Sequence, residues 1–183
     1  MNRNKLFLII LVICIMLIHY KKYYFFKTYI KSNFTTNLTK TETFELEKSC
    51  LQKIKKEYNC NCKEKKNHFP KYIFSIKNNF CDGILMTNIG KSLDKIKNIK
   101  KYKIPNIEEQ INCIAFNLDK MKIYHCDILR KNITISKKGE IGLIDFNIAV
   151  YNNFKIPSRA TSRIKNCYSS KEIVVKKLKS FFM

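Results

Sequence analysis

The segment from Ile123 to Asn147 reads IYHCDILRKNITISKKGEIGLIDFN. His125 stands two residues before Asp127, Asn132 five residues after it, and Asp145 thirteen further on. Between Asn132 and Asp145 lie two short apolar runs, Ile133-Thr134-Ile135 and Ile141-Gly142-Leu143-Ile144, separated by Lys137-Lys138-Gly139-Glu140. That pattern predicts a β-hairpin. A hairpin this short holds Asp127, Asn132 and Asp145 at neighbouring strand ends, on one compact support. Asp127, in a loop, is placed to accept a proton from a hydroxyl. Asn132 offers a neutral carbonyl oxygen and Asp145 a carboxylate, the oxygen ligands that a hard cation such as Mg²⁺ requires. Such an ion would neutralise the phosphates of a bound nucleotide.

Working outward, Ile107 to Lys120 carries Ile111, Ile114, Ala115 and Leu118 on one face, with Pro105 and Asn106 ahead of it and Glu108 and Glu109 in its first turn. This is the pattern of an amphipathic helix whose start is marked by proline and carboxylates. Asn88 to Leu93 predicts a turn into a short helix. Further upstream, Tyr72 to Ile76 and Gly83 to Thr87 predict two strands joined by a polar turn at Lys77 to Asn79. Phe44 to about Tyr58 predicts a helix, with Phe44, Leu46, Leu51 and Ile54 apolar at near-helical spacing. Lys171 to Phe182 predicts a last helix in an otherwise polar tail.

The His125, Asp127, Asn132, Asp145 and Phe146 set resembles the catalytic loop and metal-binding aspartate of the protein-kinase-like superfamily, H-x-D-x-x-x-x-N and D-F-G. The likeness runs over roughly residues 44 to 150 and is nearest to minimal kinase-like proteins with a reduced small lobe. It implies an α+β fold, with a small-lobe remnant, a short helical lobe and the catalytic hairpin. It implies ATP and Mg²⁺ as cofactors, Asp127 as catalytic base, His125 as the prop of its loop, and Asn132 and Asp145 as metal ligands. Ile84 to Thr87, continuing into Asn88-Ile89-Gly90, resembles the last small-lobe strand and hinge, and His68-Phe69-Pro70 the loop after the small-lobe helix. Glu47 takes the place of that helix's ion-pairing glutamate. The lysine that pairs with it has no clear counterpart, and Lys40 is the nearest that the pattern offers. Departures are Asn147 in place of the glycine of D-F-G, Leu129 where serine/threonine kinases carry a lysine, and the lack of a glycine-rich strand pair or an A-P-E-type segment. Retention of all three polar positions favours a working phosphotransferase, and the departures favour a silent pseudokinase that binds a partner protein. A protein substrate or partner is open on either reading.

Leu6 to Ile18 (LFLIILVICIMLI) is unbroken apolar sequence flanked by Arg3, Lys5, Lys21 and Lys22. The fifteen residues from Leu6 to Tyr20 would make a helix of about 22 Å, short of a hydrocarbon core of about 30 Å unless the lysines snorkel. Tyr23 to Phe26 suits the headgroup layer. No small-x-small cleavage site follows, so an uncleaved transmembrane anchor is expected. The organisation expected is an anchor over 1–26, a Thr-rich stem over 27–43 and the kinase-like domain over 44–183. Basic residues after the apolar run point the domain to the cytoplasm. Asn33-Phe34-Thr35 and Asn37-Leu38-Thr39, as glycosylation triplets, point the other way, and the topology stays open.

The formal charge is +22, yet only four of the 36 basic residues are Arg. Bidentate reading of phosphate and guanine favours Arg, so the balance speaks for a solvated lysine surface and against nucleic acid as partner. A basic membrane-surface or nucleic-acid-binding protein, in which the fold is only a scaffold, is the third reading. Cys60-Asn61-Cys62 has no second pair at zinc-finger spacing, which argues against zinc. One or two disulfides among Cys50, Cys60, Cys62 and Cys81 are left open for a lumenal or extracellular domain.

Overall fold

The computed structural model describes residues 23–29, 37–60, 62, 66–77, 82–151, 160–162, 167 and 170–182. Its described residues form an α+β fold of three helices and small antiparallel sheets. Strand β1 (Tyr24–Tyr29) leads to helix α1 (Lys40–Glu57), then to β2 (Tyr72–Lys77) and β3 (Asp82–Thr87). The sheet order is β1-β3-β2, with β3 antiparallel to both neighbours. Strand β4 (Lys91–Ser92) and two 3₁₀ turns, Leu93–Lys95 and Ile99–Lys101, cross to α2 (Ile107–Lys120). Then come β5 (Ile123–Tyr124), the hairpin β6 (Ile133–Ile135) and β7 (Ile141–Leu143), β8 (Val150–Tyr151) and α3 (Lys171–Lys179).

Helix α1 begins four residues before the predicted Phe44, because Thr39 and Glu42 form a reciprocal capping box. Its buried face carries Phe44, Glu47, Leu51 and Ile54, at spacings of three and four, so a carboxylate sits inside an apolar stripe. Ile84 and Met86 of β3 and Tyr29 of β1 join the same core as that stripe. Fully burying side chains of this size stabilises by about 1.5–3 kcal/mol each.

Helix α2 keeps its predicted limits and packs Ile111, Ile114, Ala115 and Leu118 into the core with Ile133, Ile135, Ile141 and Leu143 of the hairpin. Gln110, also buried, locks the two together. Its amide nitrogen donates to the carbonyls of Pro105 (2.7 Å) and Gly139 (3.1 Å), and its amide oxygen accepts from Ile141 N–H at 2.8 Å. Gly139 turns the hairpin at φ +76, and a Cβ there would meet the Lys103 carbonyl oxygen. Only glycine fits both demands.

Two expected boundaries move. Tyr24 to Phe26, assigned to the anchor, pair in register with Thr87, Met86 and Leu85, and Lys27 to Tyr29, assigned to the stem, continue the strand opposite Ile84 to Asp82. Lys40 to Thr43 belong to α1. Residues 24–29 thus belong to the sheet, because the aromatic run that suits a lipid interface suits a strand equally well. Residues 1–22, with the apolar run from Leu6 to Ile18, lie outside the described residues. No helix among the described residues is long and apolar enough to cross a membrane.

Candidate functional site

The site forms where the β1-β3-β2 sheet, helix α1 and the hairpin meet. Lys27 and Tyr29 are two apart on β1, so they share the face turned to α1. Lys27 Nζ lies 2.5 Å from Glu47 Oε2 and 2.5 Å from Asp145 Oδ1. The Tyr29 hydroxyl donates to Glu47, and the Phe146 backbone N–H donates to Glu47 Oε1 at 3.2 Å. A carboxylate only 1% exposed is thus bound on both oxygens, which is what makes its burial tolerable.

Burial alone would drive the Lys27 ammonium towards its neutral form, but Glu47 and Asp145 outweigh that and hold its pKa above the ordinary value. Burial likewise works against the Asp145 carboxylate, and Lys27 outweighs it, leaving that pKa lowered. Burial first, then Glu47, pushes the Tyr29 phenol far up, so it stays a donor. Asp145 adopts a left-handed backbone at φ +68, a conformation that Asp tolerates better than most residues. Asn147, in the place of the D-F-G glycine, is not left-handed, and the positive φ falls two positions earlier, at the aspartate itself.

On the hairpin side, the Asn132 amide nitrogen donates to the Asp127 carbonyl (2.8 Å) and to Asp127 Oδ2 (3.0 Å). Asn132 N–H donates to the Leu129 carbonyl, and Ile144 N–H donates to the Asn132 carbonyl at 2.9 Å. His125 ties the loop to the second strand end: Nε2–H donates to the Ile144 carbonyl at 2.9 Å, while Nδ1 accepts from Asp127 N–H at 3.3 Å. Phe146, fully buried, meets the His125 ring edge-on at 4.8 Å and the Phe69 ring at 6.0 Å. One imidazole thus bridges the two aspartate-bearing segments.

Lys40 is not at this site. Its Nζ lies 3.4 Å from Asp82 Oδ2, and Lys27 occupies the place beside Glu47 that the sequence reading offered to Lys40. Leu129 is exposed. Sequence reasoning also missed Tyr29 and the disulfide between Cys126 and Cys167, whose Cα atoms are 5.6 Å apart across 41 residues. Cys50, Cys60 and Cys62, candidates for pairing, are free thiols, and Cys81 lies outside the described residues. The chain matches no family model, and no curated protein is similar to it.

Two expected results arise from this geometry. Closing a loop of 41 residues restrains the unfolded chain, so Cys167→Ser should cost about 2–4 kcal/mol in urea unfolding. The same variant should be insensitive to added reductant, whereas reductant should lower the stability of the parent. Burial also holds the His125 imidazole below its ordinary value. The unfolded chain then protonates near pH 6.5 and the folded chain only lower, so the stability is full above about pH 6.5 and falls as pH drops below it, by at most about 1.4 kcal/mol per pH unit for this one proton. His125→Asn should flatten that slope whatever its effect on stability, and an unchanged slope would show that another group is responsible.

Proposed function

We propose that this chain is a protein-kinase-like phosphotransferase that moves a phosphoryl group from ATP to a hydroxyl with the help of Mg²⁺. One observation carries the reading: a strand lysine, a buried helix glutamate and the hairpin aspartate converge as Lys27, Glu47 and Asp145, beside an Asp127–Asn132 pair. A Lys–Glu pair between sheet and helix, set against a metal-binding aspartate, is the arrangement on which kinase phosphoryl transfer rests.

The donor set fits the metal. The Asn132 amide nitrogen is committed to Asp127, which leaves its carbonyl oxygen as the atom for a ligand role, and Asp145 adds a carboxylate. These are hard oxygen donors of the kind Mg²⁺ takes, in the small number it takes when phosphates supply the rest. Bound there, the ion would neutralise phosphate charge. Lys27 adds a fixed cation for the phosphates, and Glu47 and Tyr29 hold it in place. Asp127, oriented by Asn132 and His125, accepts the proton of the acceptor hydroxyl.

A second reading, a pseudokinase that binds nucleotide weakly or not at all, is favoured by one observation: residues 1–82 contain no glycine. Thermal unfolding of the full chain with ATP separates the two. Stabilisation that needs Mg²⁺ and vanishes in Asp145→Ala supports the phosphotransferase, at about 2.7 kcal/mol when ligand is at a hundredfold Kd. No stabilisation at millimolar nucleotide would leave the pseudokinase. The apolar run from Leu6 to Ile18 is proposed to anchor the chain in a membrane. Retention in the pellet after alkaline extraction, lost on Ile10→Lys with Leu11→Lys, is the check.

A further inference from the structure

Past the C-terminal end of helix α1, four ligand-type side chains meet from three separate stretches of chain. Cys60 and Cys62 follow the end of α1, His68 lies in the loop before β2, and Cys113 lies on α2. Their ligand atoms all lie within 4.8 Å of one another. Cys60 Sγ is 3.7 Å from Cys113 Sγ, and Cys62 Sγ is 3.2 Å from His68 Nε2. A tetrahedral zinc with Zn–S of about 2.3 Å and Zn–N of about 2.0–2.1 Å has S···S edges of about 3.8 Å and S···N edges of about 3.6 Å. The Cys60–Cys113 edge matches, and the Cys62–His68 edge is about 0.4 Å shorter than the tetrahedral one.

We propose that Cys60, Cys62, His68 and Cys113 bind one structural zinc ion as a Cys₃His site. The surroundings are those of a built metal centre. The His68 Nδ1–H donates to the Ile141 carbonyl at 2.6 Å, which fixes the tautomer and turns the Nε2 lone pair to the sulfurs. Two N–H groups point at sulfur, Cys62 N–H at Cys60 Sγ (3.4 Å) and the Asn117 amide at Cys113 Sγ (3.5 Å), and such donors stabilise thiolate charge. Cys62, His68 and Cys113 are buried and Cys60 is partly so, as in closed structural sites rather than open catalytic ones. A Cys60–Cys113 disulfide is the rival, but it would leave Cys62 and the aimed His68 nitrogen without a role. The spacing argument against zinc looked for its second pair in sequence, whereas the fold supplies His68 and Cys113 from other elements.

Such an ion would tie the end of α1 to α2. Through His68, whose carbonyl also accepts from Leu143 N–H at 2.8 Å, it would tie both to β7. Glu47 and the hairpin aspartates hang on those elements, so the zinc would fix the frame of the site without touching it.

The test reads metal and not nucleotide, so its failure is distinct from failure of the phosphotransferase reading. Full chain purified without chelator should contain about one zinc per molecule. Absorption at the zinc edge should show three sulfurs at about 2.3 Å and one nitrogen at about 2.0–2.1 Å. His68→Ala and Cys62→Ser should each lose the metal. Should either variant fail to fold, alkylation of the parent decides: Cys60, Cys62 and Cys113 should be protected until a chelator is added. Substoichiometric zinc, an oxygen-dominated shell, or a Cys60–Cys113 disulfide found by peptide mapping of the metal-supplemented protein would each overturn the proposal.

Discussion

A Lys27→Met variant is expected to unfold about 3 kcal/mol more easily than the parent and to lose all Mg²⁺-dependent stabilisation by ATP. The stability effect arises because methionine keeps the stem but leaves Glu47, 1% exposed, facing Asp145 without the cation between them. Removing one partner of a buried pair costs about 3–5 kcal/mol, and the low end applies because Lys27 and Asp145 keep some contact with water. Tyr29 and Phe146 N–H still bind Glu47, which softens the loss further. Glu47→Gln keeps the shape while removing the charge, its amide oxygen accepting from Phe146 N–H and its amide nitrogen donating to the Tyr29 hydroxyl. The double variant Lys27→Met with Glu47→Gln should therefore be less damaged than the two losses added, by about 1–3 kcal/mol. Urea unfolding of the four proteins reads this coupling. Strict additivity would mean that Lys27 contributes through its stem rather than through the ion pair.

On the proposed phosphotransferase reading, Asp127→Asn should have the largest effect on turnover, a fall of about 10²–10⁴-fold in transfer to the acceptor, with ATP-dependent stabilisation retained. The side chain stays isosteric and its amide can be oriented to accept from the Asn132 nitrogen through Oδ1, so the loop held by His125 and Ile144 need not move. What is lost is a basic oxygen. Asn132→Asp tests the neighbouring role: it removes the donor to Asp127 and puts two carboxylates side by side, which should weaken nucleotide-dependent stabilisation as well as turnover. A radiolabelled phosphate-transfer assay beside thermal unfolding separates the two variants. If Asp127→Asn abolished stabilisation by nucleotide, its role would be structural and not that of a base.

The pattern of what was legible in the chain follows from what periodicity encodes. The hairpin around Gly139, the limits of α2 and the β2–β3 pair were readable, because each is a local alternation of apolar and polar residues, whereas periodicity alone did not place Glu47 on the inner face of α1. Readable too was the placing together of His125, Asp127, Asn132 and Asp145, whose spacing is short and which ride on one supersecondary unit. Lys27 was not readable as a site residue. It lies in an aromatic run that a membrane interface would also favour, and its partners are 20 and 118 residues away. Lys40 looked the better lysine only by nearness in sequence, and the helix start turned it to Asp82 instead.

By itself, then, the sequence determined which faces are buried, where the hairpin turns and which polar groups ride on its ends, since those depend on residues within one or two turns of each other. The tertiary structure alone decided which cation meets Glu47, which cysteine pairs with Cys126, and that Cys60, Cys62, His68 and Cys113 share one place. Those are contacts between elements. Burial dictates that a charged or thiol side chain find a partner, but only the packing of α1 against the sheet, α2 and the hairpin selects which partner comes within reach.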